Sequence, residues 1–226
     1  MPGKFQGFPK ASFDFLADLK ANNSREWFED NRHRYDAHWK TPALDLIDTL
    51  AEPMSQLDPP LKAESRINGS LRRINRDVRF SKDKSPYNAR MHLIFWSGSH
   101  PNRSAAFHFV LSPSGMGYGA GVFGLDSKTL RALRDRIIDP KDRANLFAAI
   151  TQAQTCGSEF DEPDLKRLPS GYQADDNWEH LLRRKAFVMR TLGAPTNPTW
   201  LGTDQCATGI MEIARAHMPL VHWLSQ

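Results

Sequence analysis

Only two cysteines occur in the 226 residues, Cys156 and Cys206, far apart and without CxxC spacing. That favours reduced thiols in a cytoplasm over a disulfide framework. No apolar run approaches membrane-spanning length, and the opening MPGKFQGFPK lacks the apolar stretch a secretory signal needs. GxSxG, the phosphate-cradling P-loop, HxxxH and HExxH are all missing, so no nucleophile elbow, nucleotide loop or zinc helix announces itself. Neither a repeat nor a low-complexity tract nor a convincing linker divides the chain, which points to one domain over residues 1–226. What is present, 40% hydrophobic and 25% charged residues, suits a compact fold with a substantial core.

The first quarter of the chain reads as helical. Phe13, Phe15, Leu16 and Leu19 recur at helical spacing before an Asn22-Asn23 stop. Ser24 can cap a second helix carrying Trp27, Phe28, Asn31 and Tyr35, an aromatic stripe that belongs to the core rather than to a stacking platform. Thr41 is expected to be the N-cap and Pro42 the first-turn residue of a third helix, ended by Asp58-Pro59-Pro60. The period then shortens. Arg72–Phe80, Met91–Trp96, Ala105–Leu111 and Met116–Phe123 are short and rich in apolar and aromatic residues, separated by Gly, Pro, Ser and Asn, as antiparallel strands are. Helices resume at Asp126 or Ser127 and at Asp139-Pro140. A short helix is expected after Asp175 or Asp176, a strand over Ala186–Leu192, and a closing helix over Thr203–Leu224. The expected class is α+β, with a mainly antiparallel central sheet flanked by N-terminal and C-terminal helices.

Positive charge is concentrated in one place. From Arg66 to Arg90, eight basic residues face only Asp77 and Asp83, a local +6 within a whole-chain +4, which leaves −2 for everything else. A strand over Ile74–Phe80 would place Ile74, Arg76, Val78 and Phe80 on one side and Asn75, Asp77 and Arg79 on the other. If the apolar trio faces the core, Arg76 goes inward and needs a partner there, either a helix carboxylate or a bound anion. The turn beyond adds Ser81, Lys82, Asp83, Lys84 and Tyr87, with Pro86 restricting its freedom.

Two long strings occur together, FxFLxxLxxNNxREWFxxNRxxY at Phe13–Tyr35 and RDxRFSKDKxPY at Arg76–Tyr87. With GAG at Gly119–Gly121 before LRALRDRI, and LKRLPSGY followed by LLRRKAF, the chain resembles the domain-of-unknown-function 2461 family over nearly its whole length. The resemblance implies no particular activity. Where that family often has a basic residue after PY and a proline after the GAG strand, this chain has Asn88 and Leu125.

The residues themselves point to a small phosphate- or carboxylate-bearing ligand held by Arg76, Arg79, Lys82, Lys84 and Tyr87, with Asp77 and Asp83 as acid-base candidates should catalysis occur. Two alternatives are nucleic-acid association through the +6 segment and a non-catalytic interaction or scaffold role. His92 and His108 lie roughly opposite each other if their hairpin centres near His100. Two imidazoles without a third ligand do not make a metal site, and no metal or cofactor is expected. Gly115, Gly117, Gly119 and Gly121 alternate along one strand, permitting close approach by a ligand or, the favoured reading, a closely packed sheet.

Overall fold

The computed structural model describes residues 5–226; Met1 to Lys4, part of the opening that argued against a secretory signal, lie outside the described residues. Helix α1, Lys10–Ala21, buries Phe15, Leu16 and Leu19 and stops at Asn22, as their spacing predicts. Ser24 caps α2, Arg25–Asp30, by accepting from the Trp27 amide at 3.2 Å. This helix is interrupted at Asn31, and α3, Arg32–Tyr35, carries the stripe onward to Tyr35. Phe28 and Tyr35 are core residues.

Thr41 does not act as an N-cap. The chain enters α4, Thr41–Ser55, through a π-helical turn at Asp36–Lys40, so the groups a cap would satisfy are already bonded within continuous helix. That turn places Trp39 in the core, stacked on Tyr35.

The sheet is five-stranded and antiparallel. It comprises β1, Met91–Trp96; β2, Ala106–Ser112; β3, Gly115–Val122; β4, Ser158–Phe160; and β5, Phe187–Thr191, in the order β1-β2-β3-β5-β4. Between β3 and β4 run α5, Ser127–Ile138, capped by Asp126, and α6, Pro140–Gln154, capped by Asp139. A short α7, Asp176–Leu182, precedes β5, and α8, Cys206–Ser225, closes the chain. The architecture is the expected α+β one; the short β4 had no period of its own to reveal it.

Strand alternation decides which face the helices cover. Met91, Leu93 and Phe95 of β1, Phe107, Phe109 and Leu111 of β2, and Met116 and Ala120 of β3 pack with α1, α4 and α8. Val122, Phe187 and Met189 pack with α5, α6 and α7 on that same side. Among the described residues, the opposite face carries the small buried cluster Ile94, Trp96 and Ala106.

No strand forms over Arg72–Phe80. The segment before it pairs with the outer edge of β1 through Leu71 opposite Leu93 and the Arg72 amide on the His92 carbonyl at 2.9 Å. The chain then folds on itself. The Arg76 amide donates to the Pro86 carbonyl, and the Asn88 amide to the Ile74 carbonyl, both at 2.8 Å. Ile74 is buried while Phe80 is 95% exposed, so the apolar trio does not define a core face.

Candidate functional site

The turn's charges are largely occupied with one another. Arg76, 24% exposed at its side chain, reaches Asp83 at 2.5 Å and the Ser85 carbonyl at 3.1 Å, with Ser81 Oγ at 3.4 Å. Its partner is thus a carboxylate of its own turn rather than of a helix. Arg79 pairs with Asp77 at 2.6 Å, and Lys84 donates to the Val78 carbonyl at 3.0 Å. Lys82 alone of these cations has no hydrogen bond or ion pair among the described residues. The Ser85 hydroxyl and amide, then Arg76, hold the Asp83 carboxyl well below the usual range, and hydrogen bonds from Arg79 lower that of Asp77. Both carboxylates are weakened as bases, the opposite of what proton abstraction requires.

Tyr87 lies in the core. Its ring stacks on Phe28 with centroids 4.2 Å apart. Its backbone is gripped by Asn23, whose side chain donates to the Tyr87 carbonyl at 2.9 Å and accepts from the Tyr87 amide at 3.1 Å. The two long sequence strings therefore meet: Asn23 and Phe28 of the first hold Tyr87 of the second. Their joint occurrence has a packing cause.

The uncovered sheet face has a different character. Its exposed positions alternate with the core ones, so β1 and β2 present His92 and His108 there, β5 presents Arg190, and β3 presents only glycines. A Cβ at Gly119 would strike the Met189 carbonyl, and one at Gly121 the Phe187 carbonyl, so the glycines let β5 approach closely, as the packed-sheet reading expected. A second result is a strip of bare backbone along the middle of the face. Above it is a cavity of about 360 Å³, bordered by Arg90, Arg190, His92, His108 and Phe123. A neighbouring cavity of about 330 Å³, with Arg72 and Asn102, shares His92, His108 and Phe123. Neither lining contains a carboxylate. Arg90 makes no hydrogen bond or ion pair among the described residues, while Arg190 holds Asp161 at 2.7 Å and Arg72 holds Asn102 at 2.8 Å.

The histidines are bonded to each other, His92 Nε2 to His108 Nδ1 at 2.9 Å. They are diagonal rather than opposite, because the hairpin register pairs His92 with Val110 and Ile94 with His108. Burial, the neighbouring ring and the Arg90 and Arg72 guanidiniums push His92 down to about 3; burial and Arg72 push His108 down to about 4. Both rings are neutral near pH 7. No third His, Cys, Asp or Glu joins them among the described residues in a group that could hold a metal.

A second histidine contact carried no sequence signal, since its partners lie 59 positions apart. His217 Nδ1 donates to the Ile213 carbonyl and Nε2 accepts from the Ser158 hydroxyl, each at 2.8 Å. This resembles a catalytic Ser-His pair, yet both side chains are fully buried and join β4 to α8. Burial also pushes the Cys206 thiol up to about 12, so it is an inert core group.

No described helix is long and apolar enough to cross a membrane. Comparison with curated proteins and with solved structures gave no match. The string resemblance is nevertheless sound: the chain matches the family described as conserved hypothetical protein (DUF2461) over residues 11–223, and it belongs to that family.

Proposed function

We propose that this chain is a single-domain cytoplasmic protein that binds a small phosphate- or carboxylate-bearing molecule on the uncovered face of its sheet. The observation carrying this reading is a cavity with no carboxylate in its lining, bordered by Arg90, which has no partner among the described residues, and by Arg190, whose guanidinium also holds Asp161. Such a site has a positive potential and donors for an anion, and its size suits a small metabolite. The glycines of β3 allow the ligand to lie on bare backbone. In this reading the Arg76–Tyr87 turn chiefly secures the fold, because Asp83, Asp77 and the Val78 carbonyl already engage Arg76, Arg79 and Lys84. A thermal-shift screen against inorganic phosphate and simple carboxylates tests it. At least one anion should stabilise the wild type and lose most of that effect in Arg90→Met/Arg190→Met. An equal effect in the variant, or none in either protein, refutes the placement.

One observation favours a second reading, association with single-stranded nucleic acid. Phe80 stands almost fully in solvent beside Arg79 and Lys82, as a base-stacking side chain on a basic loop would. Retention on single-stranded DNA at low salt, lost in Phe80→Ser, would support it.

A further inference from the structure

The histidine pair restricts what the anion's body must look like. A 2.9 Å contact between two ring nitrogens requires one ring to donate and the other to accept. If His92 Nε2 carries the shared proton, His92 Nδ1 is a bare acceptor and His108 Nε2 carries a proton. If His108 Nδ1 carries it, the outer roles exchange. Either tautomer of the neutral pair leaves one donor and one acceptor on its outer nitrogens.

Those outer nitrogens have no protein partner among the described residues. Nor do they belong to the side-chain atoms sealed from solvent without a hydrogen bond. Both rings border both cavities, so a molecule lying on the glycine strand reaches the pair. A bare phosphate or carboxylate oxygen offers acceptors alone and would leave the accepting nitrogen unmet. A hydrocarbon would leave both unmet. Burying either kind of group over the pair therefore costs free energy. Hydroxyl groups both donate and accept, and each rotates its proton to suit whichever tautomer is present.

We infer that the ligand is a hydroxylated anion, a phosphorylated or carboxylated polyol, whose charged group lies toward Arg90 and Arg190 and whose hydroxyls engage the outer nitrogens of His92 and His108. This rests on the anion site proposed above and adds the chemistry of the ligand's uncharged part. A site built to hydrogen-bond a hydroxyl discriminates strongly against the analogue that lacks it.

Isothermal titration calorimetry with matched probes tests it. Glycerol 3-phosphate is compared with propyl phosphate, and glycerate with propionate, so that each pair shares an anionic group and chain length and differs in hydroxyls. The pair that binds identifies the anionic group. The wild type should prefer its hydroxylated member by about tenfold or more. In His92→Leu/His108→Leu the preference should fall to within about twofold, with propyl phosphate or propionate binding no more weakly than to the wild type, because the unmet ring nitrogens are gone. Equal affinity for hydroxylated and hydroxyl-free probes in the wild type overturns the inference while leaving the anion site standing. A preference retained in the double variant overturns it as well. Failure to bind any of the four probes, or inorganic phosphate, removes the anion site and this inference together. The wild-type comparison decides the matter even if the double variant folds poorly.

Discussion

Acidification should destabilise this protein through its half-buried histidine pair before its carboxylates begin to titrate. In the unfolded chain each ring has its ordinary value of 6.5; in the fold His92 lies near 3 and His108 near 4. For a group whose folded value is lowered, the unfolded chain binds more protons between the two values, so stability falls as pH drops from 6.5 toward 4. At pH 5 both rings are about 1.5 pH units below their unfolded value and still neutral when folded. At about 1.36 kcal/mol per unit, each ring costs about 2 kcal/mol and the pair about 4 kcal/mol. The charged groups around the pair, Arg72 and Arg90, oppose protonation, and the cavity lining supplies no carboxylate to offset it. Asp83, Asp77 and Asp126 are also lowered, but their contribution is lost only below about pH 4. Urea denaturation at pH 7 and pH 5 reads the effect. The wild type should lose about 4 kcal/mol more between these conditions than His92→Leu/His108→Leu, which retains the acid response of buried His217. A wild-type loss below about 1 kcal/mol, or equal losses in the two proteins, would refute the reasoning.

Other substitutions separate structural from ligand-binding roles. Asn23→Ala should cost about 1–3 kcal/mol, read by urea denaturation, because it removes both hydrogen bonds to the Tyr87 backbone. Tyr87→Ala should cost about 3–5 kcal/mol in the same assay, as expected for a buried aromatic stacked on Phe28. Phe80→Ser should stay within about 0.5 kcal/mol of wild type, given its exposure. Gly121→Val should give little soluble folded protein by circular dichroism, since its Cβ strikes the β5 backbone and its φ is +149°; Gly117→Ala, whose nearest neighbour is the Thr191 hydroxyl, should fold.

Wherever one period ran undisturbed, the sequence disclosed the structure. Phe15, Leu16 and Leu19 marked α1, Ser24, Asp126 and Asp139 marked caps, and the apolar runs marked β1, β2, β3 and β5. Arg72–Phe80 misled because Ile74, Val78 and Phe80 alternate as in a strand. Asp77 and Asp83 instead let the local cations pair within the turn, and Asn88 and Pro86 close the backbone on itself. Thr41 misled because it looks like a cap wherever the preceding residues are assumed not to be helical. The candidate site was legible only in fragments. His92, His108 and the alternating glycines stood out separately, yet their assembly depends on a register that pairs His92 with Val110. Arg190 comes from a strand far along the chain, and no local spacing links it to Arg90. Net charge identified the +6 segment but not which of its cations the fold had already engaged.

The most direct test is a backbone amide NMR titration of the wild type with the anion that gives the largest thermal shift. The account predicts that the perturbed amides cluster at His92, His108, Gly117, Gly119 and Arg190, with Ser81–Tyr87 unmoved. Perturbations centred on Ser81–Tyr87 and absent from the glycine strand would contradict it.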